Sequence, residues 1–146
     1  MIQAHGTTVA LSGAGVLLRG PSGAGKSDLA LRLIDQGALL VADDRTGIVR
    51  EGGRLVAVAP PPIAGLLEVR GLGLVEVAHV GRAPLDLVVD LVPEAAVERL
   101  PEPASASYLG LSVPRWALCG VHASAPAKLR LALALATGRA GLRESA

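Results

Sequence analysis

Eight residues, GPSGAGKS at positions 20–27, constrain this chain more than any other stretch. Gly20, Gly25, Lys26 and Ser27 satisfy G-x-x-x-x-G-K-[ST] in full, with Pro21, Ser22, Gly23 and Ala24 between them. Glycines let the backbone curl until consecutive N–H groups point into one concavity, which is the geometry that cradles a phosphate. The motif needs a strand before it and a helix after it. Val16, Leu17 and Leu18 supply the apolar run before the loop. After Lys26 the spacing turns helical, with Leu29, Leu33 and Ile34 on one face and Asp28 four residues before Arg32. Gly37 stands where such a helix would stop. The unit is expected to bind the phosphates of ATP, with Lys26 toward the β and γ phosphates and Ser27 offering a hydroxyl to Mg²⁺. The alternative is a glycine-rich turn between strand and helix that happens to contain Lys-Ser.

A phosphate loop of this kind needs an acid at the end of a second strand to help hold Mg²⁺. LLVADD, ending on Asp43 and Asp44, offers two. Adjacent residues at a strand end point to different sides, so one acid can face the metal and the other an acceptor. A carboxylate beside a γ phosphate can take the proton of an attacking hydroxyl. The plainer alternative is a pair of solvated turn acids before a hairpin. Glu68 lies in an apolar run, LLEVRGLGLV, where a charge needs a metal or a partner. Arg70, two residues on, could be that partner, and a structural ion pair competes with a metal ligand.

Along the rest of the chain, residues 7–20 read as two short strands around a glycine-containing turn, and 46–60 as a hairpin turning at Gly52 and Gly53. PPPIAG is a rigid turn. Residues 67–80 mix strand signals with glycines, and LDLVVDLV is a strong strand. Residues 93–103 are polar and proline-rich, a loop or short helix. SYLGLSVPRWALCGV reads as strand pieces broken by Pro114. Residues 125–140 form a C-terminal helix, and the tail, 141–146, is expected to fray. The fold class is α/β, strand-rich, with one helix after the phosphate loop and one at the C-terminus.

Composition limits the partners. Apolar residues make up 51% of the 146, with no Phe, one Trp (Trp116) and one Tyr (Tyr108), so the core must be aliphatic. Fourteen basic residues against 13 acidic give a net charge of +1, which leaves no basic footprint for nucleic acid. Cys119 is alone and cannot close an internal disulfide. The N-terminal residues carry no secretory pattern. The longest apolar helical candidate is interrupted by Arg130 and too short to span a bilayer. A single soluble, cytoplasmic domain of residues 1–146 is expected.

HGTTV (His5 to Val9), GPSGAGKSDLAL, LVADD, LLEVRGLGLVEV and ERL (Glu98 to Leu100) follow one another in the order and spacing of the catalytic domain of the HPr kinase/phosphorylase family. The resemblance is nearly continuous from His5 to about Val77 and patchy beyond. It implies a PEP-carboxykinase-like P-loop domain without the family's N-terminal domain, as in short alphaproteobacterial members. It also implies transfer of phosphate from ATP to a serine of HPr, the small phosphocarrier of the sugar phosphotransferase system, with removal by phosphorolysis in many members. Carried over by position, His5 matches the family's active-site histidine, Lys26 the loop lysine, and Ser27 and Glu68 its Mg²⁺ ligands. Asp44 matches the base of the forward step and the acid of the reverse. Arg99 matches a further catalytic arginine. Asp43 is left for the metal side. Members of the family commonly form hexamers. His79 and His122 receive no functional role.

The resemblance ends near the C-terminal helix, where the family's PVRPGRN-like stretch is replaced by CGVHASAPAK. Residues are also lost between Val77 and Leu85. Both departures bear on the phosphorylase activity and on oligomer contacts. Two other readings compete with the protein kinase: a small-molecule kinase on the same fold, and a nucleotide-sensing module with little turnover.

Overall fold

Strand pairing is organised around one long strand. In a computed structural model that describes residues 1–143, this strand, β9 (Arg82–Leu91), carries β3 (Ala14–Arg19) in parallel along one edge. Its other edge is shared: β6 (Arg54–Val58) pairs antiparallel with residues 82–84, and β11 (Leu111–Leu118) pairs in parallel with residues 88–91. Outward from β3 lie β2 (Thr7–Leu11) and β4 (Leu39–Ala42), both antiparallel. Outward from β6 lie β5 (Arg45–Glu51) and β1 (Ile2–His5). β10 (Ala104–Tyr108) forms a hairpin with β11. A separate two-stranded hairpin is made by β7 (Leu66–Val69) and β8 (Gly73–Glu76). The helices are α1 (Lys26–Asp35) and α2 (Ala125–Ala136). None of the described helices is long and apolar enough to cross a membrane. Of the tail expected to fray, residues 144–146 lie outside the described residues.

Two principal cores follow from strand alternation, beside a small cluster of Ala10, Val41, Ala57 and Ala83. On one face Val16, Leu18, Leu87 and Val89 meet Leu29 and Leu33 of α1, Leu129 and Leu133 of α2, and Leu67 of β7. On the other, Leu17 and Val88 pack with Ile48, Leu55 and Val113. Both cores are aliphatic, as the composition requires. Each buried leucine is worth about 1.5–3 kcal/mol.

The expected strands, helices and the Gly52–Gly53 turn are present, and short 3-10 turns occupy Pro61–Ile63 and Glu94–Ala96. The expected break at Pro114 is not. β11 runs through it without interruption. Tyr108 and Leu111 close a two-residue turn, and the pairing alternates from there. Pro114, opposite Ser105, therefore falls in a non-hydrogen-bonded pair with β10, and pairing with β9 starts only at Arg115. Its missing N–H is never asked to donate, which is the circumstance in which a strand tolerates proline.

At the C-terminal end of β3 and β9, a charge network closes the second core. Arg19 grips Asp90 with two hydrogen bonds, Nε to Oδ1 at 2.7 Å and Nη2 to Oδ2 at 3.0 Å. Arg115 adds a third at 2.9 Å, and Arg19 Nη1 also donates to the Tyr108 hydroxyl. Burial is the largest single influence on Asp90 and pushes its carboxyl up. Hydrogen bonds and charge from Arg19 and Arg115 together outweigh it and hold the group below its ordinary range.

Candidate active site

The phosphate loop leaves β3 at Gly20 and enters α1 at Lys26. Gly20 has φ 153°, and a Cβ there would lie 3.0 Å from the Ala24 side chain and 3.1 Å from the Leu91 carbonyl oxygen. Only glycine fits where β9 and the loop approach so closely. The N–H of Ala24 donates to the Pro21 carbonyl, which tightens the curl. No side chain caps α1, so its first N–H groups are left for a ligand. Lys26 is buried, and its Nζ donates to the carbonyl oxygens of Gly20 at 2.6 Å and Pro21 at 3.1 Å. The loop thus holds its own lysine across the concavity.

The acid pair sits just beyond β4, and its members diverge for a reason the strand period does not supply. Asp43 is buried. Its Oδ1 accepts from the hydroxyls of Ser27 at 2.8 Å and Thr7 at 2.9 Å, and its Oδ2 from the N–H of Glu68 at 2.8 Å. Asp44 adopts a left-handed conformation, φ 63°, which swings its carboxylate outward. There Oδ1 lies 3.0 Å from His5 Nε2, with both side chains well exposed. One acid is thus tied to the helix that follows the loop and the other faces solvent.

A cavity of about 370 Å³ joins these parts. Ser22, Gly23, Gly25, Lys26 and Ser27 line one side, and Asp44, Glu68 and Arg70 the other. Glu68, on β7, is exposed to this space. Among the described residues no ion pair joins it to Arg70, so the ion-pair alternative is not realised. Among the described residues no group of three or more His, Cys, Asp or Glu is arranged to hold a metal ion alone. Two carboxylates and a hydroxyl are an all-oxygen set that suits Mg²⁺, which keeps water and phosphate ligands.

Of the residues expected at the site, Lys26, Ser27, Asp43, Asp44, Glu68 and His5 come together. Arg99 does not. It is exposed on the segment between the Glu94–Ala96 turn and β10, outside the cavity lining. Gly20, Pro21, Ser22, Gly23, Ala24 and Gly25 form the loop. His79 hydrogen-bonds the Val77 carbonyl and packs against Gly65, a local role. His122 lies 3.5 Å from Glu94.

Three contributors were not legible. Thr7 reads as one of two threonines in a strand. Arg70 reads as a partner for Glu68. Arg32 reads only as the helical partner of Asp28, which it is at 3.1 Å. It also donates to the carbonyls of His122, at 3.2 Å, and Gly120. A Cβ on Gly120 would come within 3.3 Å of the Ala24 carbonyl oxygen. Arg32 therefore stitches α1 to the turn before α2, which rests on the phosphate loop and falls where the sequence departs from the resemblance.

Comparison with known proteins follows the same geometry. The family model described as HPr Serine kinase C-terminal domain matches residues 1–118. HPr kinase/phosphorylase proteins of Burkholderia lata and Burkholderia cenocepacia are each 42% identical over 122 residues, 76% of this chain and 38% of theirs. The chain thus spans about two fifths of the length of these relatives. The solved structure of the Hpr(Ser) kinase/phosphatase from Coxiella burnetii superposes with a TM-score of 0.82 at 25% identity, covering 91% of this chain and 94% of that one. The strand-rich α/β architecture is that of the PEP-carboxykinase-like P-loop fold.

Proposed function

Because this chain belongs to the HPr serine kinase C-terminal domain family, we propose that it transfers the γ-phosphoryl group of ATP to a serine hydroxyl of HPr or an HPr-like phosphocarrier protein. The observation that carries this reading is a single cavity lined by the phosphate loop on one side and by Asp44, Glu68 and Arg70 on the other. The names of the relatives, kinase/phosphorylase and kinase/phosphatase, support it.

In the forward step the serine oxygen bonds to the γ phosphorus while the bond to the β,γ-bridging oxygen breaks and ADP leaves. The serine proton passes to the carboxylate of Asp44. Asp44 is exposed at the rim, where a serine presented on a folded protein can reach it, and His5 orients its carboxylate. The loop N–H groups and Lys26 hold the phosphates, and Arg70 offers a second cation to the charge that develops. Ser27, Asp43 and Glu68 would hold Mg²⁺, which would supply positive charge to offset that of the phosphates. Arg99 lies outside the cavity lining and is given no role in this step.

The test is transfer of label from γ-labelled ATP, with Mg²⁺, to serine of the HPr-like protein from the same cell. Label that vanishes in Asp44→Asn supports the protein kinase. Added inorganic phosphate then tests removal of that label with release of pyrophosphate. Tight ATP binding with no label on an HPr-like protein would favour a nucleotide-sensing module.

A further inference from the structure

Thr7 is fully buried, yet its hydroxyl reaches both members of the acid pair. A hydroxyl has one proton to give and lone pairs to accept with. Thr7 gives its proton to Asp43 Oδ1 at 2.9 Å and accepts from the N–H of Asp44 at 3.1 Å. We infer that Thr7 is a positioning residue for phosphoryl transfer: its single hydroxyl fixes the metal-side carboxylate of Asp43 and the acceptor-side residue Asp44 in one frame. This rests on the reading of Asp44 as the base.

The need for such a device follows from the backbone. A non-glycine residue at φ 63° sits in a sparsely populated region and costs on the order of 1–3 kcal/mol unless its surroundings over-determine it. Three consecutive residues do so for Asp44. Thr7 takes its N–H, the N–H of Gly6 donates to its carbonyl at 2.8 Å, and His5 meets its carboxylate. Gly6 can do this only because it lacks a side chain, since a Cβ there would stand 2.5 Å from the Leu18 carbonyl oxygen. Asp43 Oδ1 is loaded by Thr7 and Ser27 together, so a shift at Thr7 is felt at both ends of the pair.

The neighbouring threonine supplies an internal control. Thr8 is equally buried, but its hydroxyl meets Thr46 at 2.8 Å, and Thr46 in turn donates to the Gly6 carbonyl. It touches neither acid. Thr7→Val and Thr8→Val both bury a methyl in place of a hydroxyl, but only the first uncouples the acids.

The experiment compares Thr7→Val, Thr7→Ser and Thr8→Val in the full chain. Two signals are read: the amide resonance and hydrogen exchange of Asp44, and kcat and KM for label transfer. In the unaltered protein the Asp44 amide is protected from exchange although its side chain is exposed. In Thr7→Val that protection is lost and kcat falls by about tenfold to a hundredfold, with KM for Mg·ATP little changed. Thr7→Ser restores both signals, and Thr8→Val leaves both in place. An unprotected Asp44 amide in the unaltered chain overturns the inference, and this needs no variant to fold. So does a Thr7→Val protein with unchanged kcat, or a Thr8→Val protein that loses as much. Failure of the unaltered chain to label any acceptor would instead sink the kinase reading, while the amide signal still decides the clamp.

Discussion

Asp43, just beyond β4, and Asp90, near the end of β9, are both held by hydrogen bonds, and they are treated in opposite ways. Asp90 is gripped by two guanidinium groups, Arg19 and Arg115, which together more than balance its charge. Asp43 receives two hydroxyls and one backbone N–H, all neutral donors. Neutral donors fix a carboxylate's orientation without neutralising it. The first acid is spent on holding strands together. Asp43 has no cationic partner among the described residues, which leaves it for the Mg²⁺ site proposed above. A carboxylate's partners therefore say more about its task than its depth does.

The comparison breaks first at Asp44, the exposed companion of Asp43. Asp44→Asn should lower kcat by about 10²–10⁴-fold, as expected for loss of a positioned base, while the thermal midpoint stays close to that of the parent. A label-transfer assay beside a melting curve checks both halves. Next, Ser27→Ala removes one of the neutral donors on Asp43. It should raise the Mg²⁺ concentration for half-maximal transfer by about 10–100-fold, read by titrating metal at fixed ATP.

On the other side of the comparison, Asp90→Asn leaves Arg19 and Arg115 without their acid. It should cost about 1–3 kcal/mol in urea unfolding and leave kcat within about threefold. The sign of its pH dependence is fixed. The folded carboxyl is held below its ordinary value of 3.8, so the network's contribution is complete above that value and is lost as pH falls through the lower folded one. The stability gap between parent and Asp90→Asn should therefore be widest near neutrality and close in acid. Smallest of all is Glu51→Gln. The Glu51–Arg82 pair lies on the surface, and its loss should leave the urea midpoint unmoved.

What the sequence disclosed divides along the same line. Local patterns were legible: the strand, loop and helix around Lys26, the hairpin at Gly52–Gly53, the strand at Leu85–Val92 and the C-terminal helix. Each is written in spacing or in a turn residue. Pro114 was misread because a proline's cost depends on which partner lies beside it, and register is not written in one strand. The site residues Lys26, Ser27, Asp43, Asp44 and Glu68 announced themselves by chemistry in a suggestive place. Thr7 and Arg32 did not, since their work is a hydrogen bond to a distant part of the chain. Arg99 carried a family motif, but nothing local dictates where a proline-flanked segment will lie.

The long strand β9 has a consequence for how the molecule is made. The phosphate loop springs from β3, and β3 is bordered on one side by β2, which is close in sequence, and on the other by β9, where Leu17 lies opposite Val88. Parallel pairing across such a separation is slow to form, because loop-closure entropy comes before the contacts that reward it. A chain emerging from the ribosome carries the complete GPSGAGKS stretch long before β9 exists to support it. The phosphate loop is thus synthesised well before the strand it leans on and takes its shape only once that strand is in place. Half-made chains hold the GPSGAGKS stretch without the sheet that shapes it.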